Sequence, residues 1–289
     1  MIRGMYSAIS GLRTHQIMLD VTSNNLANVN TVGYKASRTT FKDQLQQTMY
    51  GGSAQGPNTG GTNAAQVGLG VQLGSVDAVM GDGSMQATGN PLDVAIQGEG
   101  WFRVGVGDPG DATATPPVPP VSYPTGANMN YTRAGNFIRN DKGYLVTPEG
   151  YYVMGVDDAA GNPTYINIPP GATGIAVGND GMVSYVPNGG GVRTNAGQLS
   201  LAKFPNENGL LRLSGNRWAA HPASGVPDVQ APGTNGTFGQ TIGGTLEMSN
   251  VDLASEFTGM IVAQRGFQAN SRVISTADEM LQDLVNLKR

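Results

Sequence analysis

Apolar residues recur every seven positions at both ends of this chain and every two positions through its middle. Toward the C-terminus, Leu253, Met260, Phe267, Ile274 and Leu281 repeat without a slip. A seven-residue apolar period on a helix returns the same face at 3.5 residues per turn and keeps one seam turned toward a partner. The run from Ser249 to Arg289 contains no Pro. Ser249 and Asn250 precede Val251, and Asp252 follows Ser249 by three positions, which reads as a short capping box. A helix from Asn250 to Leu287 would be a rod of about 55 Å. Residues 4–28 carry the same period in Met5, Leu12, Leu19 and Leu26, with Ala8, Ile9 and Val29 beside that stripe. Asn24, Asn25 and Asn28 crowd its end, and Gly33 is a stop signal. Two matching stripes predict two helices that pack on each other.

Between them the pattern changes. Gly51-Gly52-Ser53, Gly56-Pro57-Asn58 and Gly60-Gly61-Thr62-Asn63 have no period of either kind and read as an exposed connection. From Val71 onward, short runs alternate as half-buried strands do: Leu92, Val94 and Ile96, then Phe102, Val104 and Val106. Further strand-like pieces are separated by Asn140-Asp141-Lys142-Gly143, Pro148-Glu149-Gly150 and Asn179-Asp180-Gly181. Prolines break up residues 108–125, a surface loop. The expectation is an α+β fold in which the N- and C-terminal helices form a coiled-coil stalk, with a mainly antiparallel β body inserted between them. The expected divisions are 1–45 with 248–289 for the helical domain, 46–70 for a Gly-rich linker, and 71–247 for the β body.

Composition narrows the chemistry. Only 13% of the 289 residues are charged, about half the usual share, while the 43 Gly are about twice theirs. A Gly-turn-rich β protein, or one whose surface is largely covered by neighbours, would have that balance. A net charge of −4 provides no basic footprint for nucleic acid, and the absence of Cys removes disulfides and thiolate chemistry. No stretch reaches the ~18 apolar residues of a membrane span. The N-terminus lacks the apolar core of a signal peptide, so a cytoplasmic protein or one exported without a cleaved signal is expected. Charge favours pairing of the two ends: residues 1–50 hold five Lys/Arg against two acids, and residues 246–289 hold six acids against four bases.

Candidate catalytic groups do not assemble. Gly105-Val-Gly107-Asp-Pro-Gly110 matches a dinucleotide fingerprint, but the prolines that follow forbid the helix such a site needs. His15 and His221 have no ligand spacing around them. Asp77, Asp82, Asp93 and Glu99 are scattered over strands and turns. The expectation is a protein that is not an enzyme, takes no cofactor or metal, and works by assembling.

The wording of several segments then carries a likeness. Ser23-Asn-Asn-Leu-Ala-Asn-Val-Asn-Thr-Val-Gly-Tyr-Lys35 resembles the N-terminal signature of the flagellar axial proteins, the rod and hook subunits of the bacterial flagellum. Gly89-Asn-Pro-Leu-Asp-Val-Ala-Ile-Gln-Gly-Glu-Gly-Trp-Phe102 is similar to the family's central motif. Tyr131 to Phe137 with Asp141 to Thr147 resembles its next block, and Leu246 to Leu253, Met260 to Asn270 and Leu284 to Leu287 its C-terminal signature. The matches run in order along nearly the whole chain. Its C-terminal wording is most like that of hook subunits, while its length is nearer that of distal rod subunits. Hook is therefore the expectation and distal rod the alternative.

The resemblance implies a homopolymer within the hook–basal body, in which the terminal helices form an inner tube and the β body packs outside. The implied assembly residues are Met5, Leu12, Leu19, Leu26, Asn24, Asn25 and Asn28, with Leu253, Met260, Phe267, Ile274 and Leu281. It also implies contact with neighbouring axial proteins of the rod and hook–filament junction, and export by the flagellar type III apparatus. Phe41 and Leu45, in Phe41-Lys-Asp-Gln-Leu45, resemble the motif by which such subunits engage the export gate. Neither nucleic acid nor membrane insertion is implied.

Overall fold

The computed structural model describes residues 2–56, 60–110, 128–157 and 163–287. Most of the Pro-rich stretch expected at 108–125 lies outside the described residues. The fold is α+β, and the contacts divide the chain into two units. One comprises Met1–Ala27, Ala36–Val79 and Val251–Arg289; the other comprises Asn28–Lys35 and Met80–Asn250.

The first unit holds helix α1 (Ile2–Ala27), strands β1 (Ser37–Asp43), β2 (Gln46–Tyr50), β3 (Ala65–Gly68) and β4 (Val71–Ala78), and helix α2 (Leu253–Leu287). The 35 residues of α2 span about 52 Å. Its cap differs from the expected Ser249: the Asp252 carboxylate accepts from the Ala254 N–H at 3.0 Å, and the Asp252 carbonyl accepts from Glu256 N–H. Asp252 thus satisfies an end donor that Ser249 lies too far back to reach. Residues 46–70, expected as a linker, carry β2 and β3 here. β1 pairs antiparallel with β4 and β2 with β3, so one long hairpin folds back on itself with register shifts at Thr40/Phe41 and Thr48/Tyr50. Its base is closed by Val79 N–H donating to the Ala36 carbonyl.

The second unit is the β body, and its strands among the described residues pair antiparallel throughout. The strand Trp101–Gly105 lies inside a ten-stranded sheet. It pairs with Met129–Thr132 along one edge, and with Tyr152–Asp157 and Leu201–Lys203 along the other. All five of its residues are buried. Phe102 meets Phe137 edge-on at 5.1 Å, within a core that includes Ile96, Val153, Ile168 and Leu201. A three-stranded sheet (Thr173–Val177, Met182–Val186, Thr194–Gln198) contributes Val183 to the same core.

The second unit also encloses charge. The Lys35 and Glu247 side chains are each 1% exposed, with Nζ and Oε1 2.6 Å apart. The same Oε1 accepts from the Gly83 N–H at 3.0 Å, and Arg133 Nη1 bridges Glu247 Oε2 and Asp82 Oδ1, each at 3.3 Å. Lys35 Nζ also donates to the Gly81 carbonyl. The Arg133 guanidinium rests 5.3 Å from the Trp101 ring centroid. Gly33, at φ 67°, approaches the Ala134 backbone so closely that a Cβ would overlap it, and its N–H donates to the Glu247 carbonyl. Burial holds the Lys35 ammonium below its ordinary pKa, with Arg133 pushing the same way and Glu247 opposing.

Replacing Glu247 leaves two buried cations without their shared anion. Glu247→Gln is expected to cost about 3–5 kcal/mol, read from urea denaturation. Lys35 binds its proton less tightly folded than unfolded, so the remaining stability should rise with pH on the alkaline side, below 10.5.

Candidate assembly surface

The two helices of the first unit pack directly on each other and run antiparallel. The Asn25 Nδ2 donates to Glu256 Oε1 at 3.0 Å. A Cβ on Gly266 would sit 2.5 Å from the His15 ring, and one on Gly11 would sit 2.7 Å from Asn270 Nδ2. In these three pairs the residue numbers add to 281, so one register holds from Gly11 to Asn25 of α1. The residues that close the seam are small or polar. On α1 they are Ala8, Gly11, Thr14, Thr22 and Asn25, all buried; on α2 the buried residues are Ala263 and Ala277. Small residues let backbones approach and leave room for a neighbour's larger group, as Gly266 does for His15. The Thr14 and Thr22 hydroxyls bond back to carbonyls of their own helix, at Ser10 and Met18, and so bury no unmet donor.

The expected seam therefore shifts by one position. Ala8, His15 and Thr22 form one seven-residue series and Gly11, Met18 and Asn25 another, while Met5, Leu12, Leu19 and Leu26 lie beside them, half-buried. On α2, Met260, Ile274 and Leu281 are half-buried, and Leu253 and Phe267 are exposed. The seven-residue period is present, but the large apolar residues flank the closed seam. Phe257, Ile261, Val262 and Val273 extend the exposed apolar surface of α2.

The three asparagines separate. Asn24 is exposed on α1. Asn28 belongs to the second unit, where its Oδ1 accepts from the Thr31 hydroxyl. Asn25 is 1% exposed and ties three segments together: Nδ2 donates to the Ser37 carbonyl as well as to Glu256, and Oδ1 accepts from Ser37 N–H. No sequence signal separated it from its neighbours except its place in the Gly11/Met18 series. Phe41 lies on β1, tilted toward His15 at 6.5 Å between ring centroids, and Leu45 is 79% exposed. Among the described residues no ion pair joins α1 to α2, so the opposite charges of the two ends are not spent on each other. No group of three described His, Asp or Glu residues is placed to hold a metal.

Two outcomes follow from this seam. Gly266→Val drives its side chain into His15 and is expected to cost about 1–3 kcal/mol in thermal or urea unfolding. Burial raises the Glu256 pKa from 4.5, with Asp252 adding to it and the Asn25 hydrogen bond opposing. The folded state then holds this proton more tightly than the unfolded, so the Glu256 contribution is most favourable below 4.5 and declines as pH rises through the raised value. Glu256→Gln keeps an acceptor for Asn25 and should flatten that decline in denaturation midpoints taken from pH 4 upward.

Three segments match models of flagellar families: residues 5–35 the "Flagella basal body rod protein" model, residues 120–185 the "Flagellar hook protein FlgE/F/G D1 domain" and residues 242–287 the "Flagellar basal body rod FlgEFG protein C-terminal". The chain is 46% identical over 290 residues to the flagellar basal-body rod protein FlgG of Bacillus subtilis (strain 168), covering 100% of both. It is 38% identical over 289 residues to FlgG of Caulobacter vibrioides, covering 99% of this chain and 100% of that one. Identity to the flagellar hook protein FlgE of Borreliella burgdorferi is 26%, over an alignment of 444 positions that covers 100% of both chains. The chain belongs to the flagellar axial protein family, the rod and hook subunits from which the bacterial flagellum is built.

Proposed function

We propose that this chain is a distal rod subunit of the flagellar basal body, a structural protein that polymerises with copies of itself and abuts other axial proteins. The observation that carries this reading is the alignment with rod proteins from end to end, at 46% identity over 290 positions for a chain of 289 residues. The match to the hook protein spreads over 444 positions at 26% identity, as expected where one chain holds a segment the other lacks. The rod reading thus displaces the hook expectation that rested on the C-terminal wording.

In this reading α1 and α2 form one stave of a coiled-coil tube. The seam closed by Gly11, Asn25, Ala263 and Gly266 holds the stave together. The residues beside it, Met5, Leu12, Leu19, Leu26, Leu253, Met260, Phe267, Ile274 and Leu281, meet the staves of neighbouring subunits. The exposed Phe257, Ile261 and Val262 support this, because a helix left apolar on its outer side gains most when that side is covered. Burying a side chain such as Ile261 fully would contribute about 1.5–3 kcal/mol, repeated at every subunit contact. Subunits leave the cell through the flagellar type III apparatus, with Phe41 and Leu45 engaging the export gate.

Ile261→Asp tests the outer face. It should change monomer stability by no more than about 0.5 kcal/mol, since Ile261 is 57% exposed in the subunit, while abolishing rods in electron micrographs of basal bodies. Wild-type rods from this variant would refute the outer-face contact. Straight tagged segments inside the basal body, rather than curved ones beyond it, separate rod from hook.

A further inference from the structure

Three Asn–Gly pairs occur in the chain, at 188–189, 208–209 and 235–236. A carboxamide followed by a residue without a Cβ is open to attack by that residue's backbone nitrogen. Whether the attack takes place depends on how firmly the backbone is held, and the fold holds the three pairs differently.

Asn208 lies in the 3-10 turn Glu207–Gly209, where the Gly209 N–H donates to the Asn206 carbonyl at 3.2 Å. Gly209 also lies so close to the Ala223 backbone that a Cβ would stand 2.6 Å from it. Asn235 belongs to a second 3-10 turn, Thr234–Gly236, inside a loop closed by the Gly233 N–H donating to the Gly239 carbonyl at 3.0 Å. The Gly239 N–H in turn donates to the Glu99 carbonyl, which ties that loop to the β body. Asn188 is held less. It stands at the tip of the hairpin joining Met182–Val186 to Thr194–Gln198, and residues 188–195 are all exposed. The turn is closed by the Gly190 N–H donating to the Pro187 carbonyl at 3.3 Å. Among the described residues the Gly189 N–H and the Asn188 carboxamide have no hydrogen-bond partner. Gly189 and Gly190, at φ 107° and 79°, have open space where a side chain would be. Beside the carboxamide lies Gly171, which has no side chain to hold it.

We infer that Asn188 is a site of spontaneous modification, converted to aspartate and isoaspartate in the folded protein ahead of the other two pairs. The Gly189 nitrogen gives up its proton to water and attacks Cγ of Asn188. The bond from Cγ to Nδ2 breaks, and ammonia leaves with the proton. The product is a cyclic succinimide. Water then opens the ring, giving aspartate when it adds at Cγ and isoaspartate when it adds at the backbone carbonyl carbon. One water enters and one ammonia departs, with no oxidation or reduction. Either product puts a carboxylate on a unit that already holds 13 Asp and Glu against 9 Lys and Arg. Isoaspartate also lengthens the backbone by a methylene. The tip lies outside the core, to which the adjoining strand contributes Val183, so the fold bears the change.

The test holds the purified chain at mildly alkaline pH and follows it by peptide mapping, with isoaspartate counted by an enzymatic methylation assay. Asn188 should convert about fivefold faster than Asn208, the factor by which one retained hydrogen bond suppresses local opening. It should also outpace Asn235, and the intact protein should gain an acidic form on ion exchange. In urea the three rates should converge. Asn188→Gln, whose longer side chain closes a ring far more slowly, should remove most of the acidic form and leave the denaturation midpoint unchanged. Equal rates in the folded protein, a rate order that survives in urea, or an acidic form that accumulates as fast in Asn188→Gln would each overturn the assignment.

Discussion

A carboxylate buried to 1% exposure must be compensated or it unfolds its surroundings, and Glu247 is compensated by Lys35, Arg133 and the Gly83 N–H together. The residues it gathers are distant in sequence and belong to three separate passages of the chain. Lys35 ends the segment 28–35, Asp82 and Gly83 follow the return at residue 80, and Glu247 precedes the departure at residue 250. Three of the four points at which the chain passes between its units are thereby pinned to one cluster. A hydrophobic cluster could have filled this volume at lower desolvation cost. Ion pairs with fixed donors and acceptors add directionality, which fixes each strand's position as well as its burial.

Beyond that anchor the two units are stabilised by different means. The β body relies on a buried sheet whose core residues alternate along short strands, with Trp101, Phe102 and Phe137 filling its centre. The helical unit has few fully buried apolar residues among those described and depends on close approach at Gly11, Ala263 and Gly266 and on the hydrogen bonds of Asn25 to Ser37 and Glu256. Its remaining apolar surface faces outward. A subunit organised this way is complete in one half and under-buried in the other, which suits a protein that gains its remaining burial from neighbours.

The sequence carried the two helices, their mutual packing and the antiparallel character of the middle, because each follows from a period that one chain displays. It misplaced the seam because large apolar residues such as Leu12 and Leu19 dominate a pattern read by hydrophobicity, whereas two helices close where Gly and Ala permit. It missed β2 and β3, since Gln46-Gln-Thr-Met-Tyr50 and Ala65-Gln-Val-Gly68 are held by pairing with each other and bury almost nothing. The charge cluster was illegible for a different reason. Lys35, Arg133 and Glu247 acquire meaning only when the fold brings them together, and no local pattern records that.

The Lys35–Glu247 bond also bears on the order of events when the chain folds. α1 packs on the nearby hairpin, as Asn25 does on Ser37, but its seam with α2 joins residues some 230 positions apart, as Asn25 and Glu256 are, so that seam waits for the last part of the fold. The β body is not bound by that delay. Once it forms, residues 35 and 247 are already in contact, and the span left to close is the roughly 20 residues connecting Asn25 and Glu256 to that clamp. Shortening a closure from about 230 to about 20 residues lowers its entropic cost by roughly 2 kcal/mol. A β body that formed ahead of the helices would in this way splint them, shortening the closure that brings α1 and α2 together.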